Sequence, residues 1–99
     1  MKVDIETRYL EHVKSIINSQ LQDPNLKIYV FGSRARGNAK KYSDLDIALQ
    51  AESKIEVNKM GKIELELEET TIPYKVDVID LNNIPDTFRK CIENDLVEV

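Results

Sequence analysis

The chain has 99 residues, 41% of them hydrophobic and 32% charged, with a formal net charge of −4. That length carries one hydrophobic core, so a single domain over 1–99 is expected, and the acidic balance excludes a general nucleic-acid-coating protein, whose affinity comes from many Lys and Arg contacts to phosphate. A lone cysteine, Cys91, excludes an intrachain disulfide and points to a reducing, cytoplasmic setting, and no apolar run approaches the ~20 residues that cross a bilayer.

Residues 4–22 are expected to form a helix, since Leu10, Val13, Ile17 and Leu21 recur at three- and four-residue steps. Asp23-Pro24-Asn25 ends it in a turn. Residues 26–31 are rich in β-branched and aromatic side chains and predict a strand, which Gly32 breaks. Residues 33–36 fit one helical turn, and Gly37-Asn38 begins a loop to Ser43. A second strand is expected over 44–50, with Leu45, Ile47 and Leu49 on a core face and Asp44, Asp46 and Ala48 on a face left for a site. Ser53 and Glu56 match a capping box opening a helix to about Glu69. Met60, Ile63 and Leu67 are its core contacts. Residues 74–81 predict a third strand. Asn82-Asn83 turns the chain, and Pro85 opens a last helix whose buried side is Ile84, Phe88, Cys91 or Ile92, and Leu96. Cys91 is read there as a buried structural thiol. A short connection makes strands one and two antiparallel, and a helical crossover makes two and three parallel. The fold class is therefore α/β (α+β): a small mixed sheet of at least three strands with helices packed on it.

The chemistry is concentrated in Phe31-Gly32-Ser33-Arg34-Ala35-Arg36-Gly37 and Ser43-Asp44-Leu45-Asp46. Aspartates two apart on a strand lie on one face, roughly 6–7 Å apart along the chain, and can share divalent metal ions. The glycine-bounded turn ahead of them offers N–H groups, a hydroxyl and guanidinium groups to phosphates. The pattern points to metal-assisted chemistry on a nucleoside triphosphate. Gly32 and Gly37 also have the spacing of a P-loop. That motif needs a Lys and a Ser or Thr next, and the chain has Asn38-Ala39, so a P-loop is rejected.

The segment Gly32–Gly37 followed by Ser43-Asp44-Leu45-Asp46 resembles the signature of the minimal nucleotidyltransferases, the smallest members of the DNA polymerase β-like superfamily; the matching pattern covers residues 26–81. The resemblance implies that Gly32 lets the backbone approach a triphosphate and Ser33 holds its phosphates. Arg34 and Arg36 add charge, with a salt bridge orienting the turn as the other role for Arg36. Ser43 orients a carboxylate or fixes the loop. Asp44 and Asp46 would bind two Mg²⁺ ions. The third acid is Asp77 or Asp80, which point to opposite faces of a regular strand. Val76-Asp77-Val78 matches the family pattern, so Asp77 is expected as metal ligand and base.

The same resemblance implies an antitoxin that transfers AMP from ATP to a hydroxyl on a helical HEPN-type partner protein. The alternative is a binding subunit that neutralises such a partner by contact alone. Nothing in the chain reads as a base pocket or an acceptor site, so a partner, or a second copy of this chain, is expected to supply part of it.

Overall fold

The structure, a computed structural model, describes residues 3–99. Helix α1 (Thr7–Leu21) buries Val13, Ile16 and Ile17, with Leu10 and Leu21 partly covered. It starts three residues later than its periodicity predicts. Asp4 is held outside the helix by two backbone bonds to Arg34: its N–H donates to the Arg34 carbonyl and its carbonyl accepts from Nη1, both at 2.8 Å. Groups at a helix start lack internal partners, so these long-range bonds cost the helix little. At the other end Gln22 takes a left-handed φ of 47°, and the Asp23 carboxylate accepts from the Asn25 N–H at 2.9 Å.

Strands β1 (Lys27–Phe31), β2 (Leu45–Gln50), β3 (Val76–Asp80) and β4 (Val97–Glu98) form one sheet in the order β3-β2-β1-β4. A one-turn helix α2 (Ser33–Arg36) joins β1 to β2, which run antiparallel. Helix α3 (Val57–Glu68) carries the crossover to β3, which runs parallel to β2. Both pairings agree with the connection lengths. The two-residue β4, antiparallel to β1, was not expected; it is too short to show an alternation.

One face of the sheet packs Ile28, Val30, Leu45, Ile47, Leu49 and Val78 against α1 and α3. The opposite face does not belong wholly to a site. Helix α4 (Asp86–Ile92) lays Ile92 over Phe31 and Ala48 in a second, smaller core that includes Leu81. The acids are left at one end, where β1 finishes and β2 and β3 begin.

Two further expectations are corrected. The Ser53/Glu56 capping box does not form: α3 begins at Val57 behind Glu56, which makes no side-chain cap. Instead, Ile55 is drawn into the core and its N–H donates to Asp80 Oδ2 at 2.7 Å, setting where the helix starts. Cys91 is exposed, and Phe88 is 39% exposed rather than buried. Helix α4 has seven residues and turns Ile92 inward before a 3₁₀ turn at Glu93–Asp95 ends it. Leu96, beyond that turn, packs partly against the smaller core.

Candidate active site

Parallel pairing puts Asp46 of β2 directly beside Asp77 of β3, and antiparallel pairing puts Phe31, the last residue of β1, on the other side of Asp46. Gly32 follows Phe31 with φ 75° and ψ −154°, a conformation essentially confined to glycine. A Cβ there would collide with Oδ2 of Asp46. The glycine therefore makes room for the carboxylate as well as shaping the turn.

Beyond Gly32 the chain winds into α2. The N–H groups of Ser33 and Arg34 and the Ser33 hydroxyl make no hydrogen bonds among the described residues, so they stand ready as donors. Arg34 lies elsewhere. It is 5% exposed, donates to the carbonyls of Ser43, Asp4 and Lys41 at 2.8–3.3 Å, and stacks 3.8 Å over the ring of Tyr74. Its donors are occupied in holding the turn, the start of the chain and the loop before β2 together, so it adds no free charge to a phosphate pocket. Ser43 works in the same loop: its Oγ accepts from the Lys40 N–H at 2.8 Å. Arg36 is exposed and bonded to Asp95 at 3.0 Å. Asp95, Tyr74 and Asp4 are partners that spacing alone could not reveal, since each is far from the turn in sequence.

Asp77 and Asp80 separate cleanly. Asp80 is 6% exposed and accepts from the Ile55 and Asn82 N–H groups at 2.7 and 2.9 Å. It pins the crossover on the far face of the sheet. Asp77 stands beside Asp46, its only ion-pair partner among the described residues being the exposed Lys75 at 3.3 Å.

Burial pushes the Asp46 carboxyl above the usual carboxylate range. The charges of Asp77 and then Asp44 push in the same direction, and Arg36 opposes them. Three carboxylates that repel one another at the end of a sheet fit a hard divalent cation, whose ligands are oxygens. Among the described residues no three such side chains are already drawn into a metal-holding cluster. Asp44, exposed ahead of β2, lies close enough for its charge to act on Asp46.

A strand ending in a glycine turn, an aspartate just ahead of the next strand, another on that strand and a third on the strand beside it thus gather at one end of the sheet, next to free backbone donors. Residues 11–98 match the family model described as "Polymerase beta, Nucleotidyltransferase", and the chain belongs to that family. It is 33% identical over 91 residues to the probable protein adenylyltransferase MntA of Haemophilus influenzae, covering 92% of this chain and 78% of that protein. Among solved structures it resembles a toxin–antitoxin crystal structure with AMP-PNP (TM-score 0.73, 21% identity, 89% of this chain and 69% of that one). It also resembles a tri-AMPylated Shewanella oneidensis HEPN toxin in complex with MNT antitoxin (TM-score 0.61, 21% identity, the same coverage).

Proposed function

We propose that this chain is a Mg²⁺-dependent protein adenylyltransferase that moves AMP from ATP to a hydroxyl on a HEPN-type helical partner in the cytoplasm, acting as its antitoxin. The observation that carries the reading is the side-by-side placement of Asp46 and Asp77 against a glycine whose missing Cβ admits the Asp46 carboxylate. The relative named as an adenylyltransferase supports the choice of AMP and of a protein acceptor.

In this reading Ser33 donates its hydroxyl, and with Arg34 a backbone N–H, to the β- and γ-phosphates. Arg36, released from the exposed pair with Asp95, adds a cation beside them. The Arg34 guanidinium and the Ser43 hydroxyl hold the turn and loop in shape without touching the nucleotide. Asp44, Asp46 and Asp77 would hold the metal ions, which when bound would lower the pKa of the attacking hydroxyl and neutralise the leaving phosphates. The acceptor oxygen bonds to the α-phosphorus as the bond to the bridging oxygen of the β-phosphate breaks. Pyrophosphate departs and the hydroxyl proton passes to Asp77.

The test combines purified protein, Mg²⁺, ATP labelled at the α-phosphate and a lysate of the source cell, beside an Asp44→Asn control. Label on a discrete protein with the wild type alone is the expected result. No label with any nucleotide, together with neutralisation of the partner by stable Asp44→Asn and Asp46→Asn variants, would replace enzymatic transfer with inhibition by contact.

A further inference from the structure

We propose that the outer edge of β3 is the acceptor's docking site. An extended segment of the acceptor protein adds there as a fifth strand, its hydroxyl-bearing residue opposite Asp77 and basic residues on either side of it. The proposal rests on the adenylyl-transfer reading and gives that reaction its missing acceptor site.

β3 lies at the end of the sheet and pairs only with β2 among the described residues. The Leu45 N–H donates to the Lys75 carbonyl at 2.8 Å. In a parallel ladder this sets the phase: Asp77 and Ile79 turn their backbone groups toward β2, and Val76 and Val78 turn theirs outward. The outward groups form a template for another strand. This edge is also where the site lies, because Asp77 belongs both to it and to the carboxylate cluster. In a paired strand the residue facing Asp77 lies about 4.5–5.5 Å away with its side chain on Asp77's face, toward Asp46.

The neighbours of that residue project to the opposite face, by the two-residue alternation of a strand. There a groove of about 400 Å³ runs between β3 and α3, lined by Glu64, Leu67, Glu68, Val76 and Val78 among others. Lys75 on the same rim is paired with Asp77, which leaves Glu64 and Glu68 to meet positive charge. A second groove of about 360 Å³ shares Glu64 and Val78 and leads past Met60, Ile84 and the 75%-exposed Val57. It offers the far end of the same segment an apolar seat. Open backbone groups, continuity with the acids and two glutamates on the floor together select an extended basic segment over a helix or an acidic one.

The test uses the full chain and the protein that the labelling experiment identifies as acceptor. In ¹⁵N-labelled Asp44→Asn protein with ATP, bound acceptor is expected to slow amide exchange at Val76 and Val78 by about tenfold or more while Asp77 and Ile79, already bonded to β2, stay unchanged. In the active protein, Glu64→Lys with Glu68→Lys is expected to raise the acceptor KM by about tenfold and leave the KM for ATP unaltered. Transfer by the wild type with unchanged Val76 and Val78 exchange, or with an unchanged acceptor KM in the double variant, overturns the docking proposal alone. Absence of any transfer by the wild type overturns the adenylyl-transfer reading, and the docking proposal with it.

Discussion

Gly32→Ala tests how the site is built. Gly32 holds a backbone conformation in which any other residue costs about 1–3 kcal/mol. Its added Cβ would also fall on Oδ2 of Asp46 and 3.3 Å from Cγ, so the carboxylate must move. That oxygen is the free end of a half-exposed side chain that can swing aside, so the collision adds only about 0.5–1 kcal/mol. The two together put the loss near 3 kcal/mol, or roughly 12–24 °C of Tm for a domain of this size. Gly37→Ala is the control. Gly37 also has positive φ, 80°, but its Cβ would meet nothing within 4 Å, so about 1–2 kcal/mol is expected. Urea unfolding followed by circular dichroism measures both, and a double-mutant cycle separates the causes. With Asp46→Ala in place the collision disappears and Gly32→Ala should cost only its backbone share, a coupling of about 0.5–1 kcal/mol. An equal cost of Gly32→Ala with and without Asp46→Ala would refute the idea that the glycine is there to admit the carboxylate.

The charge on Asp46 should show in the pH dependence of stability. An acid raised on folding contributes most below its ordinary pKa, and that contribution is lost as pH rises through the folded value. Without divalent cations, Asp46→Asn is therefore expected to be more stable than wild type at pH 7, on the order of 1 kcal/mol for a half-buried group, with the gap closing in acid. Parallel stability curves would contradict the repulsion. Asp77→Asn should abolish transfer and change stability by no more than about 0.5 kcal/mol. Asp80→Ala should cost about 2–5 kcal/mol by stranding two N–H groups. The reverse pattern, in paired melts and labelling assays, would mean the third acid is Asp80. Arg34→Lys cannot reproduce a forked grip on three carbonyls. It should destabilise the protein by about 2–3 kcal/mol, and an unchanged melt would remove Arg34 from its role in holding the loop.

Much of this molecule could be read from the order of its residues. Strong local signals survived into the structure: the apolar steps of α1, the β-branched run of β1, the glycine that stops it, and Leu45, Ile47 and Leu49 alternating with the acids. What failed depended on contacts from far along the chain. Arg34 looked like a phosphate ligand because its turn matched one, but Asp4, Lys41, Ser43 and Tyr74 surround its guanidinium. Ser53 had the right spacing for a cap, yet Asp80, 25 residues from Ile55, decided where α3 begins. Cys91 and Ile92 were interchangeable on paper, and only the packing of a seven-residue helix chose between them. Strand alternation showed only that Asp77 and Asp80 face opposite ways; the choice of Asp77 came from the resemblance of Val76-Asp77-Val78 to the family pattern, and the pairing of Asp77 with Asp46 agrees with it.

The in-register pairing of Asp46 with Asp77 has one more consequence. These two like charges are neighbours because Val76 and Val78, on either side of Asp77, are held against the α3 face by hydrophobic packing. Sliding β3 by one residue would separate the carboxylates and relieve their repulsion. It would also turn Asp77 into the apolar interior and the valines out to water. The oily side of the strand thus acts as the lock on its charged side, and substitutions that loosen the lock, even those remote from any substrate, should appear first as a misaligned pair of acids.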